Sequence, residues 1–391
     1  MKIFDSLYKV FVILALSFVS ASCGGDEPDP EPEVYDRVTV VYAVNRSSLA
    51  SNFRDDCAEI MKAMPKVNLK KNKLILYRTD SQSQTGLYTM VRDGETYQWK
   101  QLKSYSRTTT ATDPERMAQV LRDAVDSYPA SNRTLFFWGH GSAWTPGDSN
   151  HEVGNTSKAD VPASYGYGGE FGKNNKTNWI DIDDLARAIP DSAFDTIWFD
   201  CCYMASVEVA YELRNKARWY VAYPTEVWEY GMDYGSVLPL TMTATPSLQL
   251  AASTFFNAYN DKKDPVTVTV MDMSRIEPLA QAVKDFYRTN PEPVSDTKGI
   301  VNYRRQSGTA YFDMAQLLKR QAADKTTPEL VAVTDAMDDF VVMHLESTVD
   351  FNNRVWINPK LCGLSLHNFT DNGSEDNEYY KTLAWHKRVA Q

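Results

Sequence analysis

TIWFDCCYMASVEVAYEL, Thr196 to Leu213, is the stretch from which the fold is read. A short apolar run, Thr196 to Phe199, ends in Asp200, Cys201 and Cys202, and a helical pattern follows with Met204, Val207, Ala210 and Tyr211 on one face. The order is strand, tight junction, helix. A thiol at such a junction is expected at the positive end of the helix dipole, which favours thiolate and hence a nucleophile at neutral pH. Upstream, in RTLFFWGHGSAW, the apolar strand Leu135 to Trp138 runs into Gly139, His140 and Gly141. In an open parallel sheet the chemistry gathers at the carboxyl ends of strands, so strands ending in His140 and Cys202 are expected to form a dyad. Imidazole titrates near working pH and can both hold the thiolate and protonate a leaving amine.

Working outward, strands are expected at Val38 to Ala43 and Lys73 to Tyr77, with an amphipathic helix from Leu49 to Met64 between them. Tyr88 to Val91 and Thr96 to Leu102 read as a hairpin across Asp93-Gly94. Asp113 and Pro114 are suited to the N-cap and first turn of a helix reaching Val125. The glycine-rich connector Thr145 to Asn178 reads as a long loop, which is usually functional or disordered, and Lys158, Lys173 and Lys176 make it a candidate for nicking. Asp181 then caps a helix that Pro190 ends. Beyond the Cys202 helix come a strand at Arg218 to Tyr223, a helix at Ser247 to Tyr259, a strand at Val266 to Met271 and a helix at Ile276 to Tyr287. This alternation predicts an α/β sandwich with a mostly parallel sheet. After the linker NPEPVSDTKG, helices are expected at Phe312 to Ala323 and Glu329 to Leu345, strands within Arg354 to Leu366, and a terminal helix at Tyr379 to His386. The expected division is a catalytic domain over 37–288 and a smaller subdomain over 289–391 packed upon it.

The pair WGHGSAW and FDCCYMASVEVAYEL resembles the clostripain family of cysteine peptidases, in the larger group that holds caspases, legumains and gingipains. The family pattern is a strand ending in His-Gly and a later strand ending in Asp-any-Cys, then a helix with small residues and a Glu. YVAYPTEVWEYGMDYGSVL, Tyr220 to Leu238, is similar to the segment that follows in relatives, with Tyr223 where a small residue, often Ser, is expected. The resemblance implies a caspase-like αβα sandwich and a cysteine endopeptidase whose nucleophile is Cys202, with Cys201 in the variable position. By family analogy Asp200 lines the pocket for the residue before the scissile bond, which would then be Arg or Lys. A carboxylate there is costly without a cation, although a strand-end Asp also commonly caps a following helix. Glu226 and Asp233 would widen the acidic rim. The oxyanion would be held by the backbone N–H groups of Gly141 and Cys202, glycine letting a carbonyl approach closely. Some relatives mature by cleavage between His and Cys, which here points to Lys173 or Lys176. Some also need calcium; no EF-hand-type loop is present, and no metal site is placed. Two alternatives stay open: an acyl-transferring, transamidase-like enzyme with the same dyad, and a catalytically inactive binding lipoprotein.

The formal net charge of -10 argues against a nucleic-acid surface and fits a polypeptide substrate carrying positive charge. Lys2, Lys9, the apolar stretch Val10 to Val19 and the small residues Ser20 to Ser22 read as a signal peptide over 1–22. Cys23 follows as in a lipobox, so lipidation and a membrane anchor are expected there; ordinary cleavage is the alternative. GGDEPDPEPEVYD, within 23–36, is an acidic, Pro-rich tether. Acidic residues soon after Cys23 resemble the signal that places some Gram-negative lipoproteins on the outer membrane surface. The remaining cysteines, Cys57, Cys201, Cys202 and Cys362, form no disulfide framework and no zinc pattern. A monomer is expected.

Overall fold

The computed structural model describes residues 34–79, 85–145, 166–171, 177–304 and 308–390. In chain order the first half holds β1 (Tyr35–Ala43), α1 (Ala50–Ala63), β2 (Asn72–Arg78), β3 (Thr85–Asp93), β4 (Thr96–Tyr105), α2 (Pro114–Ser127) and β5 (Ala130–Trp138). Then come β6 (His140–Ser142), β7 (Gly166–Phe171), β8 (Thr177–Ile180), α3 (Ile182–Ala188), β9 (Thr196–Asp200), α4 (Val207–Glu212), β10 (Trp219–Ala222), α5 (Tyr234–Thr241), α6 (Leu248–Lys262), β11 (Thr267–Asp272) and α7 (Ile276–Thr289). The last part adds β12 (Phe312–Asp313), α8 (Met314–Gln321), α9 (Pro328–Phe340), β13 (Val341–Glu346), β14 (Ser365–Leu366), α10 (Glu375–Tyr380) and α11 (Ala384–Val389).

Nine strands make one sheet in the order β13-β11-β10-β9-β5-β1-β2-β3-β4. The middle five are parallel, and the pairs at each end are antiparallel. Central strands bury both faces, which is why β1, β5 and β9 read as unbroken apolar runs rather than as alternating ones. Their side chains nonetheless alternate: Val38, Val40, Tyr42, Phe137 and Phe199 enter one core, while Val41, Phe136, Trp138 and Trp198 enter the other. Helices α1, α5 and α6 cover the second core, and α2, α3, α4, α7, α8, α9 and α11 the first. This is the expected three-layer sandwich. Asp113 caps α2 as its position suggests, accepting from Arg116 N–H at 2.8 Å.

The C-terminal third departs from the expected elements. The helix predicted to reach Leu345 stops at Phe340, and the next six residues become β13, antiparallel to β11 with Thr269 opposite His344. β11 would otherwise be an open edge, and Met343 and Leu345 pack into the second core; pairing and burial override helical spacing there. Of the strands expected in 354–366 only Ser365–Leu366 forms, paired with β12, and the terminal helix is two short ones, α10 and α11. Residues 32–391 form one compact unit. The connector after His140 also holds more than loop: β7 and β8 join β6 in a small three-stranded sheet. Among the described residues no helix is long and apolar enough to cross a membrane.

Candidate active site

Trp138 on β5 pairs with Asp200 on β9, so His140 and Cys202 each lie two residues beyond the same rung of the sheet. The two junctions pack closely. A Cβ at Gly141 would lie 2.5 Å from the Cys202 carbonyl oxygen and 2.8 Å from Cys201 Cβ, so only glycine lets them approach to this distance. Cys201 turns its thiol into the core, donating to Phe137 O at 3.4 Å.

Cys202 does not sit at a helix N-terminus. The chain bends through Tyr203, whose φ is +64°, and α4 begins only at Val207. Tyr203 N–H bonds Thr225 O, and Ala205 N–H bonds Tyr223 O. Those backbone groups are thus taken by the segment after β10, which delays the helix. The dipole therefore does not activate the thiol. Sγ accepts from Val227 N–H at 3.4 Å and donates to Val227 O at 3.7 Å, and burial pushes its pKa up to about 12.

His140 lies on β6 opposite Gly168. Its Nε2 is 2.9 Å from the Ser48 hydroxyl, its ring is 6.0 Å from that of Trp179, and a Cβ at Gly169 would come within 2.9 Å of its Cδ2. Burial pushes its pKa down to about 4, so the imidazole is neutral at pH 7. No hydrogen bond joins His140 to Cys202; thiol and imidazole form adjacent neutral junctions. Ser48, in the turn after β1, has no motif around it. The pairing of β1 with β5 in the sheet brings the loop after β1 beside His140, and the sequence carries no signal for it.

Asp200 is buried and does not cap α4. One oxygen, Oδ2, accepts from Met232 N–H and the Tyr234 hydroxyl, both at 3.1 Å. The other, Oδ1, is buried and has no hydrogen-bond partner among the described residues, and burial raises the pKa to about 6. Asp56 on α1 is a second buried carboxylate on this side of the sheet, accepting from Trp138 Nε1 at 2.7 Å; burial, then the charge of Asp200, raise it to about 8. Sequence reasoning missed it, because one Asp on a helix looks solvated. Tyr223, the departure from the family pattern, is buried in the core, stacked on Phe255 with its hydroxyl accepting from Trp198 Nε1. Asp233 caps α5 rather than standing free on a rim.

Cys23, Lys173 and Lys176 lie outside the described residues. Among the described residues one acidic cluster has the spacing for a cation, Asp181, Asp183 and Asp184. Arg187 already pairs with Asp183 and Asp184, and Tyr379 donates to Asp183, so these groups do not fit a dedicated calcium site.

Residues 41–355 match the family model described as the clostripain family. No curated protein matches the sequence. Among solved structures, a secreted C11 cysteine protease from Bacteroides thetaiotaomicron, solved with an irreversible peptide inhibitor, is similar at 23% identity with a TM-score of 0.75, covering 90% of this chain and 98% of that one. An inactive zymogen C11 protease from Parabacteroides distasonis is similar at 20% identity with a TM-score of 0.77, covering 92% and 99%. These likenesses show a shared fold. The family match over most of the length, with a strand-end histidine and cysteine side by side, makes this chain a member of the clostripain family of cysteine peptidases.

Proposed function

We propose that the chain is an endopeptidase that cleaves after Arg or Lys through Cys202 and His140. The observation that carries the specificity is Asp200. Among the described residues its Oδ1, buried two residues before the thiol, has no hydrogen-bond partner and no cation lies in ion-pair range. A buried carboxylate left half satisfied is costly, and a guanidinium or ammonium from the substrate would complete it. With its pKa raised only to about 6, Asp200 meets the basic side chain as a carboxylate at pH 7.

In the reaction, His140 takes the Cys202 proton as Sγ attacks the scissile carbonyl carbon. Both partners start neutral, so general-base transfer replaces a preformed ion pair. The N–H groups of Gly141 and Cys202 receive the oxyanion. The imidazolium returns its proton to the leaving amine, and water, activated by the same imidazole, hydrolyses the thioester. Self-cleavage after Lys173 or Lys176 belongs to the same proposal, supported by basic residues in the long glycine-rich connector, as do export and lipidation at Cys23 with display on the outer membrane, supported by the charge pattern of the leader and tether.

The test is labelling of wild type and Cys202→Ala with a peptidyl electrophile carrying Arg next to the warhead, beside a matched Asp probe. Labelling by the Arg probe only, lost in Cys202→Ala, is expected. Labelling by the Asp probe would overturn the role given to Asp200, and equal labelling of the mutant would overturn that of Cys202.

A further inference from the structure

We infer that Ser48 is a positioning residue for His140: its hydroxyl accepts the Nε2 proton and so leaves the Nδ1 lone pair for Cys202. This rests on the dyad reading above. A neutral imidazole carries one N–H and one lone pair, and the partner of one nitrogen decides which nitrogen is the base. Among the described residues His140 has one side-chain hydrogen-bond partner, the Ser48 hydroxyl at 2.9 Å from Nε2. Nδ1 makes none. If the hydroxyl donated instead, Nδ1 would carry the proton and could not take one from the thiol.

The contact is fixed by backbone rather than by chance. Val44 N–H bonds Trp138 O at 3.0 Å, which ties the start of the Ser48 loop to the end of β5. Asn45 Oδ1 accepts from Thr79 N–H at 2.8 Å. Arg46 pairs at 2.9 Å with Glu170, a fully buried carboxylate on β7, and its carbonyl accepts from Phe171 N–H at 2.7 Å. β7 is the strand on which β6 and His140 are laid. The loop bearing Ser48 and the strand bearing His140 are therefore clamped to the same element. From the other side the ring packs against Gly169, where the Cβ of any larger residue would come within 2.9 Å of Cδ2. Both partners are held before substrate arrives, as a tautomer-setting contact requires.

Ser48 is exposed, so water competes for Nε2 and the effect is that of one ordinary hydrogen bond. Ser48→Ala is expected to lower kcat by about 3- to 10-fold with KM unchanged, and Ser48→Thr, which keeps the hydroxyl, to restore it. The direct readout is the 15N spectrum of histidine-labelled protein at pH 7, with His140 assigned by difference against His140→Gln. Wild type and Ser48→Thr should show the Nε2–H tautomer, and Ser48→Ala a mixture. An Nδ1–H signal in wild type, or a tautomer and kcat unmoved in Ser48→Ala, overturns the inference while leaving the dyad standing. Full hydrolysis by His140→Gln overturns both.

Discussion

Asp56 and Asp200 are buried carboxyl groups with no cation in ion-pair range among the described residues, and they show at the scale of single residues how such groups cost stability. Period-two alternation puts Asp200 on the same face as Trp198, and Trp138 on that face binds Asp56. Both pKa values are raised, so the folded state holds protons that the unfolded chain has released. For Asp56 the ordinary value is 3.8 and the folded one about 8. Its contribution is thus fully present at low pH and is lost as pH rises from about 4 to about 8. His140 works in the opposite sense: its folded pKa lies below 6.5, and stability falls as pH drops from there toward about 4. Between pH 6.5 and 8 Asp56 therefore dominates this pair. Unfolding free energy is expected to fall by about 2 kcal/mol across that window in wild type and to be nearly flat in Asp56→Asn, whose amide oxygen still accepts from Trp138. Urea titrations at the two pH values check this; an equal fall in both proteins would remove Asp56 as the cause. None of these couplings is legible in the sequence, since α1 shows only a polar residue among others. Asp200 was legible only as the residue before Cys201 and Cys202.

At the scale of elements, the junction after β9 decides what surrounds the Cys202 thiol. The apolar spacing of Met204, Val207, Ala210 and Tyr211 suggested a helix reaching back to Cys202. In the folded chain the segment 203–205 is captured by residues 223–225, just after β10, and the helix retreats to Val207. Spacing reports which residues face the core; it does not report which backbone groups find partners elsewhere. The consequence is measurable. Without a dipole, and with burial holding the thiol near 12, the rate of Cys202 alkylation by iodoacetamide should rise with pH at unit slope from 6 to 9. A plateau above pH 6 would mean a preformed thiolate and would contradict this geometry. Cys202→Ala supplies the background from the other cysteines.

At the scale of the molecule, the C-terminal third completes the sheet instead of forming a module upon it. β13 closes the edge at β11, α9 packs on α7 and α11 on α4, and Leu364, Leu366, Leu383 and Trp385 belong to the first core. A fragment ending at residue 288 leaves that edge open and strips apolar surface from α7. It is expected to be insoluble or to lack a cooperative thermal transition, whereas the chain from 34 to 391 should unfold in one step; circular dichroism on the two distinguishes them. What the sequence by itself determined was the main alternation of strands and helices up to α7, the parallel sheet, and two strand ends bearing His140 and Cys202. Those follow from local periodicity and from the rule that carboxyl ends of parallel strands share one edge. What only the tertiary structure decided was the late start of α4, the β13 edge, the partners of Asp200, and the meeting of Ser48 with His140. Each depends on competition among segments far apart in the chain for the same hydrogen bonds and the same buried space, and local pattern holds no record of that competition.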